Sequence, residues 1–413
     1  MLPLVVQPGR GQLPEGRCDR YSRVAALSEF GEESVPVPAS APSRPDSVQR
    51  GRRPTPPGTM TTMRARGPLL GCVVLVVCLV ACGPEPGSSS RLPDEEAASD
   101  LGLSDAQAAS LASLEQVDDY PLYTMHHYAP EALVAHPSER RPALASVGAT
   151  DEEPWGCSLF AALADPESRI FGRNFDWEFS PALLLFNHPP DGYVSVSMVD
   201  ISYLGFPGDD SANLTPKPLG ELLGLLDAPT IPFDGMNEAG LVMGMAAVPE
   251  AYVPVDPGKD TVDSLGIIRL ALDGAATVGE AIELIRSHNV DFEGQTPLHY
   301  LLADAAGDAA LVEYHAGEIR VLRTQTDWHH ATNFLMSAVE SPAGQCQRYD
   351  AITEELESSG GDLDFDAALS LLERVAQPHT QWSLVYGITS GEIRVVMGQA
   401  YGRVHTFSLE MRN

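Results

Sequence analysis

Lysine is almost absent from this 413-residue chain, Lys217 and Lys259 being the only two. Basic residues total 26 against 57 acidic ones, a formal net charge of −31. A balance that acidic repels phosphate backbones and leaves no basic footprint for nucleic acid or for anionic membrane surfaces. Cysteine is scarce as well. Cys18, Cys72, Cys78 and Cys82 fall in the first part of the chain, so only Cys157 and Cys346 stand in its body. Two cysteines do not frame a disulfide-rich scaffold. There is no CxxC pair, HExxH helix, GxGxxG turn or P-loop, so neither a metal nor another cofactor is expected. The neighbouring pairs His126-His127 and His329-His330 do not alter this, because adjacent side chains diverge on either a helix or a strand.

Apolar residues make up 44% of the sequence and charged residues 20%, enough to build a packed core. Their distribution divides the chain. Met63-Arg64-Ala65-Arg66 precedes an apolar run, Leu69–Ala81, that ends in Leu79-Val80-Ala81-Cys82. A basic start, a short apolar stretch and small residues before a break describe a signal peptide, and the run is short for a membrane span. Leu-Val-Ala-Cys resembles a bacterial lipobox, which implies a diacylglyceryl group on Cys82 and anchoring at the cell envelope. Two acyl chains anchor stably where one does not. We therefore expect residues 1–59 to be a non-native upstream extension, with translation starting at Met60 or Met63. Residues 60–81 are read as the lipoprotein signal peptide and 82–100, rich in Gly, Pro and Ser, as a flexible tether. Residues 101–156 are read as a prosegment and 157–413 as the catalytic domain.

Within the prosegment, Leu101–Leu114 has helical spacing and Asp119–Tyr128 is extended and aromatic. Cys157–Leu163 and Arg169–Asp176 flank the turn signal Ala164-Asp165-Pro166-Glu167-Ser168 and read as a hairpin. Tyr193–Val199 and Gly240–Val248 read as strands. Leu265–Leu272 and Val278–His288 read as helices, the second opened by a capping box of Thr277 and Glu280. Leu298–Asp304, Ala309–Tyr314 and Ile319–Arg323 form a meander. Helices over Gln347–Leu356 and Asp366–Arg374 precede three closing strands, Trp382–Thr389, Ile393–Gly398 and Val404–Leu409. Blocks of hairpins alternating with helix pairs predict an α+β fold of antiparallel sheets with helices outside.

The chemistry concentrates at Trp155-Gly156-Cys157-Ser158. A Cys preceded by Gly at the start of a strand suits self-cleavage, since its thiol can attack the Gly156 carbonyl with little hindrance. Release of Gly156 exposes an α-amine that titrates near neutrality and can activate the thiol beside it. With a turn centred between Pro166 and Glu167, Asp176 pairs with Cys157 and can orient that amine. Arg173 is placed to lower the thiol pKa. Arg173 and Asp176 have opposite parity on a strand, so both reach Cys157 only with a bulge, expected near Gly172 or Asn174. Leu183–Phe186 and Met236, Met243 and Met245 are candidates for an acyl pocket, with core packing the commoner use of such residues.

The motifs GCSLFAA, FGRNFDW, FDGMNEAGLVMGM, LHYLLADAAGD with VEYHAG, ATNF and QCQRYD resemble the choloylglycine hydrolase and penicillin V acylase group of N-terminal nucleophile hydrolases. The resemblance runs from about Asp119 to the C-terminus and extends more distantly to acid ceramidase-like amidases. It implies a four-layer αββα sandwich, Cys157 as nucleophile, and Arg173 and Asp176 as its close partners. It also implies Asn237 and Asn333 as oxyanion and amide-positioning residues, and Arg348 as a distal arginine. Simple bile-salt hydrolases expose their cysteine by removing a starting Met; here roughly seventy residues separate Cys82 from Cys157. That departure favours an internally cut precursor and makes bile salts a poor default.

The expected activity is hydrolysis of a linear, non-peptide amide with a hydrophobic acyl group. Candidates are N-acyl amino acids, acyl-homoserine lactones, penicillin V-like amides and fatty-acid amides. An acyltransferase using the same acyl-enzyme, an inactive surface-anchored binding lipoprotein and a structural envelope protein are the alternatives. Oligomeric state is not legible.

Overall fold

The structure, a computed structural model, describes residues 95–128, 156–292 and 295–412. The upstream extension 1–59, the signal peptide 60–81, Cys82 and the tether as far as residue 94 lie outside them. Helices α1 (Glu95–Asp100) and α2 (Asp105–Ala112) lead into strands β1 (Glu115–Asp118) and β2 (Leu122–His127). From Gly156 onward come β3 (Ser158–Ala162), β4 (Ile170–Asp176), β5 (Ala182–Asn187) and β6 (Ser195–Asp200). Short 3₁₀ turns over 201–230 then precede β7 (Asp234–Asn237), β8 (Val242–Ala247) and β9 (Thr261–Asp263). Next are α3 (Gly266–Gly274), α4 (Val278–Ser287), β10 (Asn289–Asp291), β11 (Leu298–Ala303), β12 (Ala309–His315), β13 (Glu318–Arg323) and β14 (Trp328–Ala331). The chain ends in α5 (Gln347–Ser359), α6 (Phe365–Arg374), β15 (Thr380–Gly387), β16 (Glu392–Met397) and β17 (His405–Ser408).

Two large sheets result. The first runs β1-β2-β5-β6-β7-β8-β11-β12-β13 and the second β14-β3-β4-β15-β16-β17; β9 and β10 form a small parallel pair. Every pairing in the large sheets is antiparallel except β2 with β5. Inner-face residues of both sheets, Leu159, Phe171, Phe175, Met236, Val242 and Leu301 among them, share one core. The sheets approach closely at Gly244, where an added Cβ would sit 2.8 Å from Leu159 Cδ2 and 3.0 Å from Phe171 Cζ. Opposite-parity residues Phe160, Ala162 and Ile170 instead pack against Ile352 and Leu356 of α5 and Leu369 and Leu372 of α6. Helices α3 and α4 cover the other sheet through Ile267, Ile268, Leu272 and Ile282. The order helix, sheet, sheet, helix is the four-layer α+β sandwich, and it follows from strands apolar on both faces, each face needing cover.

The capping box at α4 is present, with Glu280 N donating to Thr277 Oγ1 at 3.2 Å and Thr277 N to Glu280 Oε2 at 3.2 Å. The hairpin register differs from expectation by one residue. Ser158 pairs with Asn174 and Leu159 with Arg173, so the turn centres on Pro166 itself. Glu167 N donates to Asp165 Oδ1 and Ser168 N to Asp165 O, which winds the connection tighter around Asp165. Gly156, rather than Cys157, therefore meets Asp176, its N–H donating to Asp176 O at 3.3 Å. A one-residue slip exchanges faces along the whole strand. Here it puts Cys157, Leu159, Arg173 and Phe175 on the side facing the other sheet. The expected bulge near Gly172 or Asn174 is absent; the irregularity sits on β15, between Thr380 and Trp382, opposite the Phe175–Asp176 step. Gly172 serves another end, since Phe160 lies across it and a Cβ there would overlap the ring.

The described parts of the segments read as tether and prosegment, residues 95–128, belong to this architecture. Residues 95–100 form α1, and β1 and β2 are full members of the nine-stranded sheet.

Candidate active site

Cys157 stands at the mouth of β3 with 2% of its surface exposed, and it is the free cysteine among the described residues. On the neighbouring strand β4, Arg173 points to the same face. Its Nη2 lies 4.0 Å from Cys157 Sγ and 3.7 Å from Met245 Sδ. Its Nη1 donates to Phe233 O at 2.7 Å and to Asp234 Oδ2. Asp234 Oδ1 accepts from Tyr386 Oη at 2.7 Å. The guanidinium, fully buried, is thus held by a carboxylate that is itself held by a phenol. A buried arginine requires such a counter-charge.

Burial pushes the Cys157 thiol above its ordinary pKa. Arg173 opposes this and Asp176 adds to it, and burial prevails. Arg173 acts in the expected direction, lowering the thiol pKa, but the loss of water around the sulfur outweighs it. The thiol is therefore protonated at neutral pH in the continuous chain, and its reaction requires a base.

Asp176, at the end of β4, is a titratable carboxyl beside Gly156. Burial raises its carboxyl to about 7, against the opposing pull of Arg348, Thr380 and Arg173. Oδ1 accepts from Thr380 Oγ1, while Oδ2 is buried with no hydrogen-bond partner among the described residues. A Cβ built on Gly156 would lie 3.5 Å from that Oδ2, 3.5 Å from His379 Nε2 and 3.6 Å from Arg348 Nη2. Three polar groups thus converge on Gly156. The absence of a side chain at Gly156 leaves this space open.

Arg348, in the first turn of α5, donates through Nη1 to Cys157 O and to Ser158 Oγ (2.9 Å), and through Nη2 to Asn333 Oδ1 at 3.0 Å. Asn333, just past β14, donates to Ala247 O at 2.8 Å. Arg348 and Asn333 therefore link the start of β3 to the end of β8 around the sulfur.

Asn237 is not brought to this cluster. Its Nδ2 donates to Leu272 O at 2.9 Å and Ala275 O at 2.7 Å, and its Oδ1 accepts from Ala239 N and Leu241 N. All four side-chain hydrogen-bonding positions are used to cap α3 and close the β7–β8 turn. The oxyanion role expected for it is corrected to a turn-holding one. The reason is strand parity: Asn237 and Gly235 face α3, with Leu272 Cδ1 2.6 Å from a Cβ placed at Gly235, whereas Asp234 and Met236 face the other sheet. The residue of that motif that reaches the site is Asp234, which sequence reasoning missed, together with Tyr386 and Thr380. Alternation along Asp234-Gly235-Met236-Asn237 is the signal that separates Asp234 from Asn237.

Beside the sulfur lies an apolar cavity of about 20 Å³, lined by Cys157, Phe175, Trp177, Phe233, Met245, Ala247, Thr296 and Leu298. That is space for roughly one water molecule. Met245 of the candidate pocket residues borders it; Leu183–Phe186, Met236 and Met243 are core.

Among known proteins, a family model described as linear amide C–N hydrolases, choloylglycine hydrolase family, matches residues 157–334. No curated protein matches significantly. Of solved structures, a mutant conjugated bile acid hydrolase from Clostridium perfringens is similar at 14% identity and a TM-score of 0.47, over 62% of this chain and 93% of that one. Penicillin V acylase from Agrobacterium tumefaciens is similar at 16% identity and 0.43, over 61% and 86%.

Proposed function

We propose that this amidohydrolase on linear amides, whose residues 157–334 match the choloylglycine hydrolase family model, is a self-processing enzyme whose nucleophile is the Cys157 thiol. The observation that carries the proposal is the convergence of Cys157 Sγ, Arg173 and the partnerless Asp176 Oδ2 on the Gly156–Cys157 bond.

In the first reaction Cys157 Sγ adds to the Gly156 carbonyl carbon as its proton passes to Asp176. A carboxyl of pKa about 7 suits that exchange at neutral pH. The adduct collapses with cleavage of the C–N bond, the Cys157 nitrogen taking the proton from Asp176. Gly156 is left on sulfur as a thioester, and water hydrolyses it to a Gly156 carboxylate and a free thiol. The new α-amine lies beside Asp176 Oδ2, which gains the partner it lacked.

In the second reaction that amine takes the thiol proton and Sγ attacks a substrate amide. The leaving amine departs with the proton, and water then hydrolyses the acyl-enzyme. Arg173 steadies the sulfur's developing negative charge. Asn333 and Arg348 are the positioning pair around the carbonyl. The apolar lining by Phe175, Trp177, Phe233, Met245 and Leu298 favours substrates with a hydrophobic acyl group. Capture of the thioester by an amine instead of water would give the acyltransferase reaction. A diacylglyceryl group on Cys82 places the enzyme at the cell envelope.

Intact mass and N-terminal sequencing of the full chain, beside Cys157→Ala, test the reading. The expected result is a chain starting at Cys157 in the wild type and none in the variant. The same spectra weigh the upstream fragment and read its lipid. A wild-type chain still continuous through Gly156–Cys157 would remove the self-activation mechanism.

A further inference from the structure

We propose that His299 and Glu313 are positioning residues that act through Asn333. As a buried pair they clasp the segment that carries Asn333, and so fix where a substrate carbonyl sits over the sulfur. The proposal rests on the reading of Asn333 as a carbonyl-positioning residue; the clasp itself stands on geometry.

Both side chains belong to the nine-stranded sheet, His299 on β11 and Glu313 on β12, and neither has exposed surface. Glu313 Oε1 accepts from Met336 N at 2.7 Å and Oε2 from Ser337 N at 2.9 Å. His299 Nε2 donates to Thr332 O at 2.8 Å, and its Nδ1 faces Glu313 Oε1 at 3.4 Å. The backbone is thus held on both sides of Asn333. The carbonyl and the ionised carboxylate only accept, so an imidazole that satisfies both carries a proton on each nitrogen. Cation and carboxylate then compensate each other where either alone would be costly to bury. Burial pushes the Glu313 carboxyl up, but His299 and Ser337 outweigh it and hold the group below its ordinary range.

What the clasp holds is the position of Asn333 against Cys157. Thr332 continues β14, which lies beside β3 in the second sheet. Asn333 reaches back to the first sheet, where Ala247 O accepts its Nδ2, next to the Ala246 that pairs with His299. Asn333 Oδ1 in turn accepts from Arg348 Nη2, and Arg348 Nη1 donates to Cys157 O. Contacts therefore run from the buried pair through Asn333 and Arg348 to the nucleophile's own residue. A pair serving only as cement between the sheets could bind anywhere along them. Among the described residues, its hydrogen bonds outside the pair all fall within four residues of Asn333. A misplacement of about 1 Å at a reacting centre can cost roughly a hundredfold in rate.

Kinetics on octanoyl-p-nitroanilide, per folded and cut molecule, test this in a cycle of wild type, Glu313→Gln, Asn333→Ala and the double variant. Glu313→Gln is expected to lower kcat roughly ten- to hundredfold, to change KM little, and to cost nothing further once Asn333 is alanine. An unchanged kcat in Glu313→Gln, with only the urea midpoint lowered, would reduce the pair to cement and overturn the proposal while Asn333 keeps its role. Losses that multiply in the double variant would overturn it too, since the pair would then act by another route. A wild-type kcat in Asn333→Ala would remove the role of Asn333 and with it that of the pair. If Glu313→Gln strands the His299 charge and does not fold, His299→Leu/Glu313→Gln removes both charges and carries the same expectations. A second measurement needs no turnover. The chain has seven asparagines, so isotope-labelled asparagine gives a sparse NMR spectrum in which Asn333→Ala identifies the Asn333 side-chain amide. Its protons are expected to exchange slowly in the wild type and faster in Glu313→Gln; equal exchange in both would overturn the clasp.

Discussion

Asp176 offers a test in which the size and sign of the effect both come from its burial. Its carboxyl stands near 7 in the folded chain against an ordinary 3.8, with desolvation the largest cause. Because the folded pKa is the higher one, the folded protein keeps a proton that the unfolded chain has already given up between about pH 4 and 7. The stabilisation from Asp176 is thus fully present below about pH 4. It is lost as the pH rises through the folded value. A shift of about three units at about 1.36 kcal/mol each makes the whole excursion roughly 4 kcal/mol. The comparison is Cys157→Ala with Cys157→Ala/Asp176→Asn, both uncut, unfolded by urea at closely spaced pH values. Asparagine keeps the acceptor for Thr380 and does not titrate. The double variant should gain on the single one as pH rises, by up to about 1.4 kcal/mol per pH unit, and level off above about pH 7. Asp200, raised by burial to about 6, and the rest of the acidic surface titrate in both proteins and cancel in the difference. A flat difference across the window would refute the placement of Asp176 as a buried, uncompensated carboxyl, and with it its acid–base part in the cut.

The other substitutions probe residues whose roles the fold distinguishes. Asp234→Asn leaves the Arg173 guanidinium buried without a counter-charge and should cost roughly 3–5 kcal/mol. Tyr386→Phe, which removes one hydrogen bond to the same carboxylate, should cost about 1 kcal/mol. Equal losses by denaturant titration would show that Asp234 is not Arg173's partner in energy. Asn237→Ala, which strands four backbone groups, should lower stability by about 1–3 kcal/mol while kcat per folded, cut molecule stays at the wild-type value. A selective fall in kcat would restore Asn237 to the site.

Much of the site was legible because its chemistry is local. A glycine, a cysteine and a short hairpin bring the start of β3 beside the end of β4, although only the observed register turns Arg173 to the face of Cys157, and the periodic helices and meander strands need only their own residues to declare themselves. What sequence left open was decided by contacts between distant segments. The hairpin turn admits two centres half a residue apart, a one-residue shift in pairing, and the choice of Pro166 came from Asp165 binding back to the turn's own backbone. The bulge that lets Asp176 stand near Arg173's level is on β15, two hundred residues away in sequence. No pattern around Gly172 or Asn174 could have announced it. Strand β5 reads as a plain apolar run, and the pairing of its second edge shows only when β2 arrives as its parallel neighbour.

The motif FDGMNEAGL holds one polar residue for each face of β7. Resemblance drew attention to Asn237, yet a strand sends alternate side chains to opposite sides. Met236 lies in the core between the sheets, so its neighbour Asn237 must face the helices, and Asp234, two residues back, must face the core with Met236. A carboxylate forced into that core has no water and must find a cation. The cation available across the sheets is Arg173, already required beside the sulfur. The strand's own alternation, together with the energetic need of a buried charge for a partner, thus assigns the motif's acid to the active site and its amide to the turn.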